Sequence, residues 1–146
     1  MRIAGIDFGT VRIGIAIADL AVGIASPLQT YRRRDDDADA AYFRRLVETE
    51  NLQQFVVGLP VHLDGRESEK SREARAFADW LHETTRLPVD FFDERFTSVE
   101  AEQMLDAAGM TGKRRKETID KIAAQIMLTA YLEAKGRGSD NPGGIE

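Results

Sequence analysis

Three acidic residues, Asp7, Glu94 and Asp120, each fall at the boundary of a regular element rather than inside one. Asp7 closes an apolar, strand-like run, Glu94 directly follows another, and Asp120 opens the last amphipathic repeat. Carboxylates on rigid edges suit magnesium or manganese, because hard cations prefer oxygen donors. Phosphoryl chemistry commonly combines a few such groups with substrate oxygens to hold a pair of ions. Acids this far apart in the chain meet only through the fold. Each also has a plainer use: Asp7 can order the turn at Gly9-Thr10, Glu94 can pair with Arg95, and Asp120 can favour the dipole of its helix. Asp120 has a further feature. It adjoins Ile119 at the edge of an apolar stripe, and the small residues Ala123 and Ala124 one turn on permit a close approach to a neighbouring layer.

Cations that would face a polyanion occur in two clusters, Arg32-Arg33-Arg34 with Arg44-Arg45, and Lys113-Arg114-Arg115-Lys116 followed by Lys121. The whole chain carries 20 Lys+Arg against 25 Asp+Glu, a formal charge of −5, so binding to nucleic acid must rest on such local patches. Taken alone, the clusters read better as solvated surface than as a binding site. The 146 residues, 42% hydrophobic and 31% charged, fit one globular domain with a core large enough to need no disulfide. The absence of cysteine excludes thiol catalysis and cysteine-ligated zinc, and it is compatible with a reducing compartment. No secretion signal follows Met1-Arg2, and no apolar run nears the ~20 residues that span a bilayer. A soluble, cytoplasmic protein with no membrane partner is the expectation. His62 and His82 lack a partner at ligand spacing and read as surface residues.

The elements that must position the acids follow from periodicity. Arg2 to Gly9 reads as a strand, and from Arg12 to Asp19 the isoleucines 13, 15 and 17 alternate with Gly14, Ala16 and Ala18, a strand with two unlike faces. Gly9-Thr10 suits the hairpin turn between them, and Val22 to Leu28 suits a third strand ending near Pro27. Asp35-Asp36-Asp37 places negative charge at the start of a helix carrying Ala41, Phe43, Leu46 and Val47. The continuous apolar run Phe55 to Leu59, stopped by Pro60, fits a parallel strand buried on both faces. Ala74, Phe77, Ala78 and Leu81 predict a helix up to Leu87-Pro88, and Val89 to Phe92 another strand. Thr97-Ser98-Val99-Glu100 is a capping box, so a helix should start after Phe96 and stop near Gly109. Met110 to Glu117 reads as a basic, mobile connector. Ile119, Ile122, Ala123, Ile126, Met127, Ala130 and Tyr131 predict a final helix ending at Lys135-Gly136. Residues 1–136 thus form a single domain, a mixed sheet flanked by helices, and 137–146 a flexible tail.

Four groups of residues stand in order along the chain: Gly5-Ile6-Asp7-Phe8-Gly9-Thr10 with Arg12-Ile13-Gly14-Ile15-Ala16; Val57-Gly58-Leu59-Pro60 with Asp64-Gly65; Asp93-Glu94-Arg95-Phe96-Thr97-Ser98 with Glu100-Ala101-Glu102; and Asp120 with Ala123-Ala124. Together they resemble the YqgF family, which is Holliday-junction-resolvase-like and associated with nuclease action on the precursor of 16S ribosomal RNA. Val11 and Ala18 depart from the lysine and serine frequent in the family.

The resemblance implies a ribonuclease-H-like α/β fold with a five-stranded mixed sheet, three N-terminal antiparallel strands and two further parallel ones. It implies that Asp7, Glu94 and Asp120 hold Mg2+ or Mn2+, as two ions, for phosphodiester hydrolysis. It also implies a cytoplasmic nuclease acting in 5′-end maturation of pre-16S rRNA, on RNA rather than DNA, in contact with pre-ribosomal particles, as a monomer or homodimer. Arg12, Arg95 and Lys113, Arg114, Arg115 and Lys116 would then neutralise phosphates, and Phe96 would be the aromatic substrate contact. Three other readings compete. One is a resolvase of four-way DNA junctions, and another is a non-catalytic RNA- or ribosome-binding module. The third is a nucleotide binder of the actin-like ATPase type, suggested by Asp7-x-Gly9-Thr10 with Gly14.

Overall fold

The computed structural model describes residues 1–59, 68–93 and 112–139, except the side chains at 113, 114 and 136–139. Strands β1 (Arg2–Asp7), β2 (Arg12–Asp19) and β3 (Ile24–Arg32) form an antiparallel meander. Then come helix α1 (Asp36–Glu50), strand β4 (Leu52–Leu59), helix α2 (Glu69–Thr85), strand β5 (Val89–Asp93) and helix α3 (Gly112–Ser139). The sheet order is β3-β2-β1-β4-β5, with β4 parallel to both β1 and β5. This is the five-stranded mixed sheet that the sequence predicts.

The alternation in β1 and β2 sorts side chains to two different layers. Ala4, Ile6, Ile13 and Ile15 bury with Phe43, Phe55 and Phe77 beneath α1 and α2. Ile3, Ala16 and Ala18 bury with Val56, Ala124, Met127, Leu128 and Tyr131 beneath α3. β4 serves both cores, which is why its run from Phe55 to Leu59 is continuously apolar. Small residues on the α3 side let that helix lie close: a Cβ added at Gly5 would sit 3.0 Å from the Cβ of Leu128.

The acidic start of α1 behaves as the sequence suggests, because Asp35 is the N-cap and its side chain accepts from the Ala38 N–H. β1 ends at Asp7 rather than Gly9, and β3 and α3 differ further from the expectation. β3 does not end near Pro27 but continues to Arg32. It is an edge strand, and its register with β2 shifts between Ile15 and Ala16, next to the proline's partner, so the missing N–H costs no regular ladder bond. The basic stretch from Lys113 to Lys116 is not a connector. It lies inside α3, which begins at Gly112, where φ is +75°. Lysine, arginine and glutamate are good helix formers even without an apolar stripe. α3 also runs past Lys135-Gly136 to Ser139. The capping box at Thr97 and the helix expected after it lie outside the described residues.

Candidate active site

Asp7 ends β1 on the face covered by α3, the face that Ile3 and Gly5 also present. Its cross-strand partner is Gly14 of β2. A Cβ added at Gly14 would lie 1.9 Å from the backbone oxygen of Asp120 and 3.0 Å from the nitrogen of Lys121. Only glycine admits α3 so close to the sheet here. The contact sets the third turn of α3 directly over the residue paired with Asp7, so two acids 113 positions apart in the chain (120 minus 7) each adjoin Gly14.

Arg12, two residues along the same face of β2, donates from Nε to Asp120 Oδ2 at 2.7 Å. Burial pushes the Asp120 carboxyl above its ordinary range, and Glu117 pushes the same way, while the hydrogen bond and charge of Arg12 oppose them. The upward shift prevails, so the carboxylate is held in a site that disfavours its charge. Asp120 Oδ1 accepts no hydrogen bond from a described residue. One oxygen is thus fixed and the other is available.

The partner of Arg12 across the next strand pair is Arg32. Two arginines directly opposite each other repel, and Asp120 answers only one of them. Arg32 is exposed and forms no ion pair among the described residues. It therefore adds a cation beside the acidic patch that the sequence left undistinguished within its arginine cluster. Only the strand register reveals it. Thr30, next on that face of β3, donates through Oγ1 to the Glu117 carbonyl and ties the β3 edge to α3.

Of the expected phosphate contacts, Arg12 is engaged with Asp120, and half-buried Arg115 and exposed Lys116 lie at the start of α3. Lys113 and Arg114 lie in the same turn, with their side chains outside the described residues. Glu94, Arg95 and Phe96 follow β5 and also lie outside them. Among the described residues no group of three acidic, histidine or cysteine side chains closes around a metal position. The donors present, two aspartates on one face with an oxygen of Asp120 available, are of the kind that Mg2+ and Mn2+ accept. His82 is exposed, and its Nδ1 lies 2.8 Å from the Leu87 carbonyl, a structural contact at the end of α2.

An antiparallel meander leading into two parallel strands, with helices on both faces, has counterparts of known structure. Thermus thermophilus RuvC in complex with a Holliday junction substrate superposes with a TM-score of 0.56 at 16% identity, covering 93% of this chain and 96% of that one. The yeast mitochondrial Holliday junction resolvase Ydc2 gives 0.56 at 10% identity, covering 92% of this chain and 79% of that one. The fold is therefore ribonuclease-H-like, of the RuvC type. Within it, the chain belongs to the RuvX family, described as Holliday junction resolvase, whose profile matches residues 1–134. Relatives carrying the name "Putative pre-16S rRNA nuclease" include one from Rhodopirellula baltica, 48% identical over 91% of this chain and 77% of its own length. Another, from Koribacter versatilis, is 42% identical over 97% of this chain and 92% of its own.

Proposed function

We propose that this chain is a metal-dependent nuclease that hydrolyses phosphodiester bonds of RNA in 5′-end maturation of pre-16S rRNA. The observation that supports the reading is that Gly14 both pairs with Asp7 across the strands and meets the backbone of Asp120. The names of the relatives support ribosomal RNA as the substrate. Asp7, Asp120 and Glu94 would hold Mg2+ or Mn2+ as a pair of ions, which supply a lowered water pKa and stabilisation of the departing oxygen. Asp7, on a strand end, is the rigid ligand. Asp120 is positioned by Arg12, which fixes one carboxylate oxygen and leaves the other for coordination. Arg12, Arg32, Arg95 and the α3 cations Lys113, Arg114, Arg115 and Lys116 neutralise phosphates along the strand. Such contacts fix register without reading sequence. The substrate places the protein in the cytoplasm with pre-ribosomal particles as its partner, as a monomer or homodimer. Among the described residues no helix is long and apolar enough to cross a membrane.

A second reading, cleavage of four-way DNA junctions, is favoured by the family description and by the RuvC–junction structure. Incubating structured RNA, single-stranded RNA and a DNA junction with Mn2+ tests both. The wild type should cut RNA in preference to the junction, and Asp7→Asn should cut neither while unfolding at the same temperature. Full activity of Asp7→Asn would remove Asp7 from the site, and preferential cutting of the junction would transfer the assignment to DNA.

A further inference from the structure

At the sheet edge where β1 ends, the chain leaves Asp7 on the α3 face and turns Phe8 to the opposite one, with the two Cα atoms about 3.8 Å apart. Phe8 opens a cleft of about 340 Å³ between β1, the start of α1 and α2. Its wall is a row of three rings. Phe8 and Phe77 have centroids 4.8 Å apart, Phe77 and Trp80 5.5 Å apart, and each pair is inclined by 31°. Deeper in the core, Phe43 meets Phe55, Phe77 and Trp80 edge-on at 66–82°. The inner rings interlock edge-on, whereas the rings of the outer row are more nearly parallel to one another, and its two ends, Phe8 and Trp80, are only half-buried.

The cleft also has a cation and two acids. The Arg33 guanidinium lies 5.4 Å from the Phe8 centroid and 5.7 Å from that of Phe77. Its Nε is spent on buried Asp39, and its terminal nitrogens bond to no described residue. Half-buried Glu73 and exposed Asp36 line the same cleft. Ring faces suit the π-face of any base, and a tethered guanidinium suits a base carbonyl or flanking phosphate. Carboxylates accept from the exocyclic amine that cytosine and adenine carry and uracil lacks.

We propose that this cleft receives an unpaired nucleobase of the substrate strand, flanking the phosphate that lies at Asp7. The proposal rests on the nuclease reading and sharpens it: the strand crosses the end of β1, its backbone on the carboxylate side and one base turned over the edge onto Phe8. The substrate is then single-stranded at that nucleotide, and an amino-bearing base is preferred there.

The chain's one tryptophan reports on the cleft directly. In Asp7→Asn protein, which keeps the strand intact, a short single-stranded RNA should quench Trp80 fluorescence. The same RNA with one abasic position at the cleft should bind roughly 5- to 100-fold more weakly. Cytidine at that position should bind more tightly than uridine, and Glu73→Gln should narrow the gap. Phe8→Leu should reproduce the abasic loss and Phe8→Tyr should restore affinity, which separates lost stacking from lost packing. Equal titrations with intact and abasic strands, or RNA that binds by anisotropy without moving Trp80, would overturn the base site. Equal affinity for cytidine and uridine would overturn the role given to Glu73 and Asp36. Cleavage by the wild type is scored separately, so the base site and the nuclease reading fail independently.

Discussion

Asp39 and Asp120 both lie on helices that cover the sheet and both meet an arginine, yet their surroundings differ in kind. Asp39, with a side chain 1% exposed, is saturated: the Tyr31 hydroxyl donates at 2.7 Å, the Arg34 backbone N–H at 2.9 Å and Arg33 Nε at 3.3 Å. Asp120 is buried enough to be pushed up in pKa but receives one described donor, Arg12, and keeps 18% exposure. A carboxylate whose lone pairs are filled by protein donors holds the fold together. One that is partly desolvated and left with a free oxygen is held ready for a ligand that the chain does not itself supply. The contrast separates a structural acid from the one proposed to act in cleavage.

Exchanging the consequences of the two acids is the most direct way to break this contrast. Asp120→Asn should lower Mn2+-dependent cleavage by about a thousandfold or more, as expected for a ligand that stabilises transition-state charge by several kcal/mol. Its unfolding temperature should stay near that of the wild type, because the variant no longer buries a charge. Asp39→Ala should do the reverse. It strands the Tyr31 hydroxyl, the Arg34 N–H and Arg33, and should cost about 3 kcal/mol, the lower end for breaking a buried pair because Arg33 keeps contact with solvent. Cleavage per folded molecule should persist. Thermal melts paired with cleavage assays read both variants; loss of stability in the first, or loss of activity alone in the second, would erase the distinction.

Gly14 joins Asp120 to Asp7, and its replacement sharpens the comparison at smaller cost. In Gly14→Ala the new Cβ meets the backbone of Asp120, so α3 must move away from β2. Overpacking of this sort costs roughly 1–3 kcal/mol, and a displacement of about 1 Å at a reacting centre costs around a hundredfold in rate. Both stability and cleavage should therefore fall, while the Asp39 cluster on the other face stays intact. Weaker Mn2+ binding by calorimetry would attribute the rate loss to the separated acids; unchanged binding and rate would show that the close approach is dispensable.

Much of this was legible beforehand because strand alternation is a strong signal. The unlike faces of Ile13-Gly14-Ile15-Ala16 announce a sheet that packs isoleucine against one helical layer and small residues against another, and Ala123-Ala124 announce the closeness of α3. What stayed hidden depends on tertiary contacts. Nothing local to Gly14 shows that Asp120 sits upon it, and Arg32 becomes Arg12's neighbour only through a register shifted at Pro27. The basic residues from Lys113 look like a loop because they lack an apolar stripe, although helix propensity alone permits α3 to start there. Asp39 is less conspicuous than the acidic run before it. Its spacing with Phe43 and Leu46, i, i+4 and i+7, put an acid on the buried face of α1 in plain sight.

The smallest effect concerns a single donor to the saturated acid. Burial first, and then the hydrogen bond to Asp39, raise the Tyr31 phenol from 10.0 to about 12. Because the folded state holds this proton more tightly than the unfolded one, the stability it confers is complete below about pH 10 and drains away as pH rises towards about 12. Tyr31→Phe should cost about 1 kcal/mol at neutral pH, the net worth of one hydrogen bond whose acceptor keeps two other donors. It should also flatten the alkaline limb of the stability curve without touching cleavage. Tyr42, stacked on Tyr31 at 3.9 Å and itself raised by burial, should preserve part of that limb. Urea melts across the alkaline range would show the two curves converging as pH increases; a constant offset would mean that Asp39 does not need the tyrosine's proton.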